Sequence, residues 1–581
     1  MHTLRSPARR HTLASLLAVP LAAALLLFAT PVSIAQALPA QHHQRDQQAQ
    51  GYGLCPDNAQ LRSAESAPPA QFAQVIHVPV DQPNIQAAVN AAQPNDLILI
   101  APGVYHEAVK VCTSDLTIRG EDRNSVLLDG QSQLTNGFTV LADNVVLENM
   151  TAHHYLGNGF YWTDQTGYRG SYLTAYDNGD YGIYAFGSRH GEFDHSYASG
   201  SPDSGFYIGQ CFPCDAIIND VHAEWNGLGY SGTNAGGNLV LENSEWDQNS
   251  AGIVPNTLDS EKMPPQRGAT LIGNYVHDNG NAKAPYTIWA HIPLGTGILV
   301  AGGDKDYITQ NRVENNPDYG ILVLGNIDQN FWIATGNVVE RNTVRNSGIA
   351  DLALGAPSGA NNCFSDNQAT TTLPPLLEAT HACGSPLALD GGGDFSVTLR
   401  LFANDVNAGL TSPGPSYRPP DFRKIAAPPA QANMPDISAP PAPTIVDAFP
   451  AGTTSANGFA PITNTYTPGG SAMLLPLGFT SYSIVQILLS LYGNLLFFAL
   501  YSAWLAIAFV ELAHREDLRG GGRLGWGAVT LGLPVLGPIL YYFASGSKLS
   551  PRFRLALVLG APALCLLVTV ALLVVASYTL L

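Results

Sequence analysis

Asn158-Gly159-Phe160-Tyr161, Tyr181-Gly182-Ile183-Tyr184 and Ser204-Gly205-Phe206-Tyr207 repeat one short phrase, and their tyrosines, followed by Tyr230, stand 23 residues apart at each step. Looser copies follow at Ser250-Ala251-Gly252-Ile253, Thr296-Gly297-Ile298-Leu299 and Tyr319-Gly320-Ile321-Leu322. A period of this length with one Gly-apolar phrase per turn belongs to a solenoid, because each repeat is too small to bury its own apolar face and must stack on its neighbours. A second phrase decides which solenoid. Leu147-Glu148-Asn149-Met150-Thr151, Leu241-Glu242-Asn243-Ser244-Glu245, Leu271-Ile272-Gly273-Asn274-Tyr275-Val276 and Ile308-Thr309-Gln310-Asn311-Arg312-Val313 are short alternating runs carrying Asn or Gly. Alternation is strand periodicity, and Asn and Gly suit left-handed corners. The reading is an all-β solenoid, a right-handed parallel β-helix of about eleven coils between about Leu97 and Leu354.

In such a helix, residues one period apart lie above one another at about 4.8 Å. Phe160, Ile183 and Phe206 then point inward as an apolar stack, and Tyr161, Tyr184, Tyr207 and Tyr230 form an outward aromatic row. Such a row suits stacking on sugar rings; the alternative is a structural ladder under a loop or spacer. The same arithmetic sets Asp180 above Asp203, continuing to Asn226 and Asn249. Two stacked carboxylates imply a shared proton or a bound cation such as Ca²⁺, or else an Asp variant of a corner ladder. Arg169, Glu192 and Asp215 read as a surface salt-bridge ladder. His153, Tyr176, Ser199, His222 and Glu245 read as a polar row able to line a groove. Two interruptions of the period, 256–268 and 281–295, are insertions of the kind that wall a binding groove.

Ile85-Gln86-Ala87-Ala88-Val89, followed by Asp96-Leu97-Ile98-Leu99-Ile100-Ala101-Pro102-Gly103-Val104-Tyr105-His106-Glu107, resembles the opening of pectin-lyase-like β-helix proteins. The resemblance implies a short helix over the open end of the solenoid, protecting the edge of the first rung. It implies no particular activity, since that fold carries lyases, hydrolases, epimerases, esterases and adhesins. Phe193-Asp194-His195 is similar to the Trp-Ile-Asp-His stretch of pectate lyases. Asp194 and His195 thus join Asp180 and Asp203 as catalytic candidates. Arg418-Pro419-Pro420-Asp421-Phe422-Arg423 fits the Arg-x-Pro-x-x-Arg pattern of those lyases but falls beyond the solenoid. The Asp-Pro-His-Asp set of alginate epimerases and the paired aspartates of polygalacturonases do not occur.

The ends place this domain. Arg5, Arg9 and Arg10 precede an apolar run from Leu13 to Phe28 and a small-x-small site at Ala35-Gln36-Ala37, a secretory signal over 1–37. An N-terminal extension covers 38–74, the β-helix with its cap 75–390, and a Pro-rich linker 391–472, read as a stalk, with a strap along the flank as the alternative. The segment 473–581 holds three apolar runs, Ser483–Val510, Trp526–Ala544 and Leu555–Leu580, each of bilayer-spanning length. Its second part resembles the transmembrane hairpin ahead of phospholipase D-type catalytic domains, without that family's HxK motif. The expectation is three transmembrane helices in a plasma membrane, with the β-helix extracytoplasmic. Loss of the signal would take three arginines and move the formal charge from −18 to −21, which argues against a nucleic-acid partner. Six of the seven cysteines lie outside the membrane segment. Cys55–Cys112, Cys211–Cys214 and Cys363–Cys383 is the simplest of fifteen pairings. The function read from all this is binding, with cleavage as a further option, of a cell-envelope or extracellular polysaccharide. The alternative is a non-catalytic scaffold in a membrane-protein assembly.

Overall fold

The computed structural model describes Cys55, residues 71–401 other than 387 and 390, residues 421–440, and parts of 505–555. Three parallel sheets of 12, 10 and 11 strands run the length of the solenoid, here called A, B and C in the order each coil visits them. One coil shows the plan: Thr166–Ser171 lies in A, Thr174–Tyr176 in B and Tyr181–Phe186 in C. Every strand of these sheets pairs with its equivalent one coil away, so the chain is a parallel β-helix.

The inward positions of sheet C stack as Val109, Phe138, Phe160, Ile183, Phe206, Tyr230, Ile253, Ile298, Ile321 and Leu352. All are buried, and burial of side chains this large is worth about 1.5–3 kcal/mol apiece. Corners are made by residues in the left-handed region followed by an inward polar side chain. Gly273, Gln310, Arg341 and Asp366 take φ between 56° and 68°. The next residues, buried Asn274, Asn311 and Asn342 and half-buried Asn367, form a ladder in which each Nδ2 donates to the Oδ1 of the following rung at 2.9–3.0 Å. Each of those Oδ1 atoms also accepts the backbone N–H of the rung before. The ladder satisfies amides that a corner would otherwise bury without partners.

Both ends of the stack are covered. The helix Ile85–Ala91 is capped by Asn84 and buries Ile85, Ala88 and Val89 on the first coils. Glu107, from the Pro-Gly-x-Tyr phrase, accepts from the N–H groups of Ile85 and Gln86 at 3.0 and 2.9 Å, placing a carboxylate at the helix N-terminus. At the other end, Leu377 of the short helix Leu377–Thr380 is buried, and Glu378 accepts from the last rung, Asn367. The three anticipated disulfides are all formed.

The constant 23-residue spacing does not survive the Cys211–Cys214 turn. Gly170 pairs with Phe193, but Phe193 pairs with Ile218 and Phe206 with Tyr230. Extra residues sit in the turn pinched by the disulfide, and every row crossing it slips. Tyr230 therefore belongs to the inward stack, while Tyr207 is followed by Ser231. Ser204 faces Leu228, so Asp203 is followed by Gly227, and the Leu228 N–H donates to the Asp203 carbonyl. Asn226 and Asn249 lie instead in a corner ladder that begins at Ser201. Glu192 is followed by Ile217, not Asp215, and Ser199 by Glu224, not His222.

The Pro-rich segment departs from the expected stalk. Residues 431–439 lie on the solenoid: Gln431 exchanges hydrogen bonds with Asn124, Met434 N–H donates to Asn149, and the carbonyls of Ile437 and Ala439 accept from Arg119. This stretch is a strap. No helix among the described residues is long and apolar enough to cross a membrane. The second apolar run appears as two helices, Gly520–Gly532 and Leu536–Ala544. The first and third runs, the signal segment and Cys565 lie almost wholly outside the described residues.

Candidate functional site

The solenoid has three outer faces, and two are largely covered. On sheet C, Tyr161, Tyr184 and Tyr207 do stack in register, with Tyr161 and Tyr184 4.7 Å apart and near parallel. They are nonetheless buried, together with Tyr181 and Phe186. The first insertion lies against this cluster: Gln210 donates to Glu261 at 2.6 Å, and Lys262 sits 5.2 Å over the Phe186 ring. Burial drives the Tyr184 phenol well above its ordinary pKa. The second insertion covers the neighbouring coils, with Thr287 N–H bonded to Pro202 and Ala290 packed with Leu228. The open sugar platform expected from the tyrosine row is therefore absent in this conformation.

On sheet A the expected surface ladder is a buried network. Arg119 donates to Glu148 at 2.8 Å, and Arg169 stands 3.6, 3.4 and 2.5 Å from Glu148, Glu192 and Asp194. Burial alone would lower the Arg169 pKa, but the Asp194 and Glu192 charges outweigh it and raise it. Such a network is a structural element that tolerates no loss of one partner.

The remaining face, the A–B corner with the adjoining row of sheet B, holds an open groove of about 560 Å³. Its floor is built by corner residues in the left-handed region, one per coil: Tyr172, His195, Asp220 and Asn243, at φ 52°, 46°, 53° and 49°. A large aromatic in that region is unusual. His222, Glu245 and Tyr275 come from consecutive strands of sheet B. Arg123, Gln431 and Ala432 close one end. Buried Arg123 ties this end together, donating to Thr174, to the carbonyls of Leu173 and His195, and to the strap carbonyl of Ala432.

His195 is the centre of the groove. Its Nδ1 lies 3.4 Å from Asp194 and its Nε2 3.4 Å from Asp220, and Tyr172 stacks on the ring at 4.6 Å. The Asp194 carboxylate beside Nδ1 is the main cause of a raised His195 pKa. Burial works to raise Asp194, but the contacts with His195 and Arg169 hold it below the usual carboxylate range. Further along, His222 meets Asp247 at 2.7 Å and its pKa rises despite burial, while His277 bridges Glu245 and Asp278. An imidazole between a buried and an exposed carboxylate can take up or deliver a proton in the groove. The flanking rings offer apolar faces to a sugar.

Residues 158–331 match the family model of a right handed beta helix region. No curated protein matches the chain. Among solved structures, the A-module of mannuronan C-5 epimerase AlgE4 from Azotobacter vinelandii is 16% identical, covering 49% of this chain and 89% of that one, with a TM-score of 0.38. An alginate lyase from Paenibacillus is 16% identical, over 51% of this chain and 99% of its own, with a TM-score of 0.34. DFA-IIIase from Arthrobacter chlorophenolicus, without its lid, is 12% identical, over 51% and 99%, with a TM-score of 0.34. At these values the likenesses carry no argument about what this chain binds.

Of the anticipated catalytic residues, Asp194 and His195 are in contact with each other at the groove. Asp180 and Asp203 sit on adjacent coils of another corner, where the Asp203 N–H donates to the Asp180 carbonyl, and neither belongs to a three-ligand cluster among the described residues. Among the described residues two such clusters occur, Asp129/His153/His154 and His222/Glu245/Asp247. Tyr172 and Asp220, which flank His195, escaped the sequence reading. The 23-residue step from Tyr172 to His195 was visible; the 25-residue step to Asp220 was hidden by the slip at the disulfide turn.

Proposed function

We propose that this chain is an extracytoplasmic β-helix protein, tethered to a membrane by its C-terminal apolar segment, that binds a polysaccharide along the A–B corner groove. The observation that carries the reading is His195, paired to Asp194 and Asp220 and stacked on Tyr172, in the groove left open between the strap and the later coils. In this reading Tyr172 and Tyr275 receive sugar faces, and His195 is the group that would move a proton if the bound chain is also cleaved. Ca²⁺ is not required by it, although groove carboxylates could take part in holding a cation. The test is a glycan-array screen of the purified protein, with and without Ca²⁺. Binding to a polymeric glycan supports the reading, and silence across acidic and neutral glycans removes it.

A second reading, a non-catalytic scaffold within a membrane-protein assembly, is favoured by one observation. The most regular aromatic row of the molecule, on sheet C, is used for internal packing and not for display. Recovery of a stable membrane-protein partner by full-length protein that binds no glycan would support it.

A further inference from the structure

Asp129 ends the strand Val126–Asp129, and His153 ends the strand Thr151–His153 one coil above it. His154 follows at the corner with φ 57°, which turns its ring back toward the same point. The Nδ1 atoms of the two histidines face each other at 2.8 Å. Asp129 Oδ1 stands 3.8 Å from His153 Nδ1 and 3.5 Å from His154 Nδ1. The three donors therefore form a triangle with edges of 2.8, 3.5 and 3.8 Å. A tetrahedral ion with bonds of about 2.0–2.1 Å separates its ligands by about 3.3 Å. Each edge of the triangle lies within roughly half an ångström of that value.

We propose that Asp129, His153 and His154 bind a zinc-type divalent ion through one carboxylate oxygen and two Nδ1 atoms. The donor set is the reason for the class: two imidazoles and one carboxylate suit zinc and its neighbours, whereas Ca²⁺ and Mg²⁺ take oxygen. An ion also resolves the contact between the two rings. Two facing Nδ1 atoms can share only one proton; ligation displaces it, and the ring that carried it takes up a proton at Nε2, so that both histidines ligate as neutral imidazoles. The surroundings are those of a ligated histidine. His154 Nε2 lies 3.8 Å from the buried carboxylate of Asp177, which would orient the ring from behind. Tyr176 stacks flat on His153 at 4.6 Å and fixes its plane. His106, 3.7 Å from the second Asp129 oxygen, is near the open side. The other cluster, His222/Glu245/Asp247, lacks this character. There His222 is already bonded to Asp247 and Glu245 to His277 through the side-chain atoms that would ligate, whereas Asp129 Oδ1 accepts the Gln131 backbone N–H at 2.9 Å and keeps a second lone pair for an ion. The ion would clamp two successive coils, away from the corner groove.

The experiment is equilibrium dialysis of the full-length protein in detergent against zinc chloride, with bound metal measured after a weak-chelator wash. One zinc per chain is expected. His154→Gln and Asp129→Asn should each weaken binding by roughly 100-fold or more, while His222→Gln leaves it unchanged. Far-UV circular dichroism checks that each variant folds; Asp129→Asn, the more conservative change, carries the test if His154→Gln does not. Intense visible absorption on cobalt(II) loading, as expected of tetrahedral sites, should vanish in the same two variants. The proposal is overturned if the wild type retains no zinc, if both variants retain it, or if His222→Gln removes it in their place.

Discussion

Asp306→Asn should stabilise this protein, and more so at alkaline than at acid pH. Asp306 occupies a fully buried rung of the C–A corner ladder whose next two members are Asn337 and Asn362. Its Oδ1 accepts from Ala269 N–H and from Gln266 Nε2, both at 2.8 Å. Its Oδ2 and Gln266 Oε1 have no hydrogen-bond partner, and both crowd the same point beside Gly303. A proton on Oδ2 would let it donate to that neighbour. Burial accordingly pushes the Asp306 pKa up to about 7, from 3.8. A carboxyl raised in the folded state binds its proton more tightly there than in the unfolded chain. Its contribution is fully present below 3.8 and is lost as pH rises through about 7. The swing is roughly 4 kcal/mol at 1.36 kcal/mol per unit. Asparagine carries the needed N–H at every pH. In urea unfolding followed by fluorescence, the variant should gain at most about 1 kcal/mol at pH 4.5 and about 2–4 kcal/mol at pH 8. An equal difference at the two pH values, or a loss at pH 8, would show that the carboxylate is ionised and held by partners, and the reasoning would fail.

Arg119→Met leaves Glu148 buried beside a single remaining arginine, and should cost about 3–5 kcal/mol; it also removes the donor to Ile437 and Ala439, so limited proteolysis should cut the strap sooner than in wild type. Glu107→Gln weakens the charged cap of the N-terminal helix and should lower stability by about 1 kcal/mol, read from the urea midpoint. For His195 the raised pKa means that its contribution is complete below 6.5 and lost as the pH climbs through the higher folded value; the thermal midpoint of wild type should therefore fall relative to His195→Gln as pH rises above 6.5, and parallel curves would contradict the Asp194 pairing.

The parts of this architecture legible from sequence are those fixed by local periodicity. Phe160, Ile183 and Phe206 had to face inward because their alternation leaves no other buried side, and the Asn positions had to be corners because only there does an amide side chain replace a lost backbone partner. The cap, the disulfides and both insertions were legible for similar reasons. The rows beyond Cys214 were not. A turn that holds extra residues changes no local pattern, yet it moves Tyr230 to the inside and separates His222 from Ser199. A covered ladder was the alternative to an open tyrosine row, but periodicity alone did not choose between them, since Glu261 and Lys262 are far from the row in sequence and carry no apolar signal. The strap was misread as a stalk for a related reason: its contacts are mainly backbone carbonyls and amides meeting Arg119, Arg123 and Asn124, which composition does not register. His195 was found by local similarity, but its partners Tyr172 and Asp220 required the register.

If the A–B corner groove, and not the tyrosine row, holds the glycan, substitutions on the two faces should separate. Isothermal titration with the best array ligand tests it most directly, comparing wild type, Tyr172→Ala and Tyr184→Phe, the last chosen because it keeps the buried ring. Tyr172→Ala should weaken binding by about tenfold, the worth of one aromatic stacking contact, and Tyr184→Phe should bind as wild type does. Unchanged affinity in Tyr172→Ala, or loss in Tyr184→Phe, would contradict the groove as the binding site.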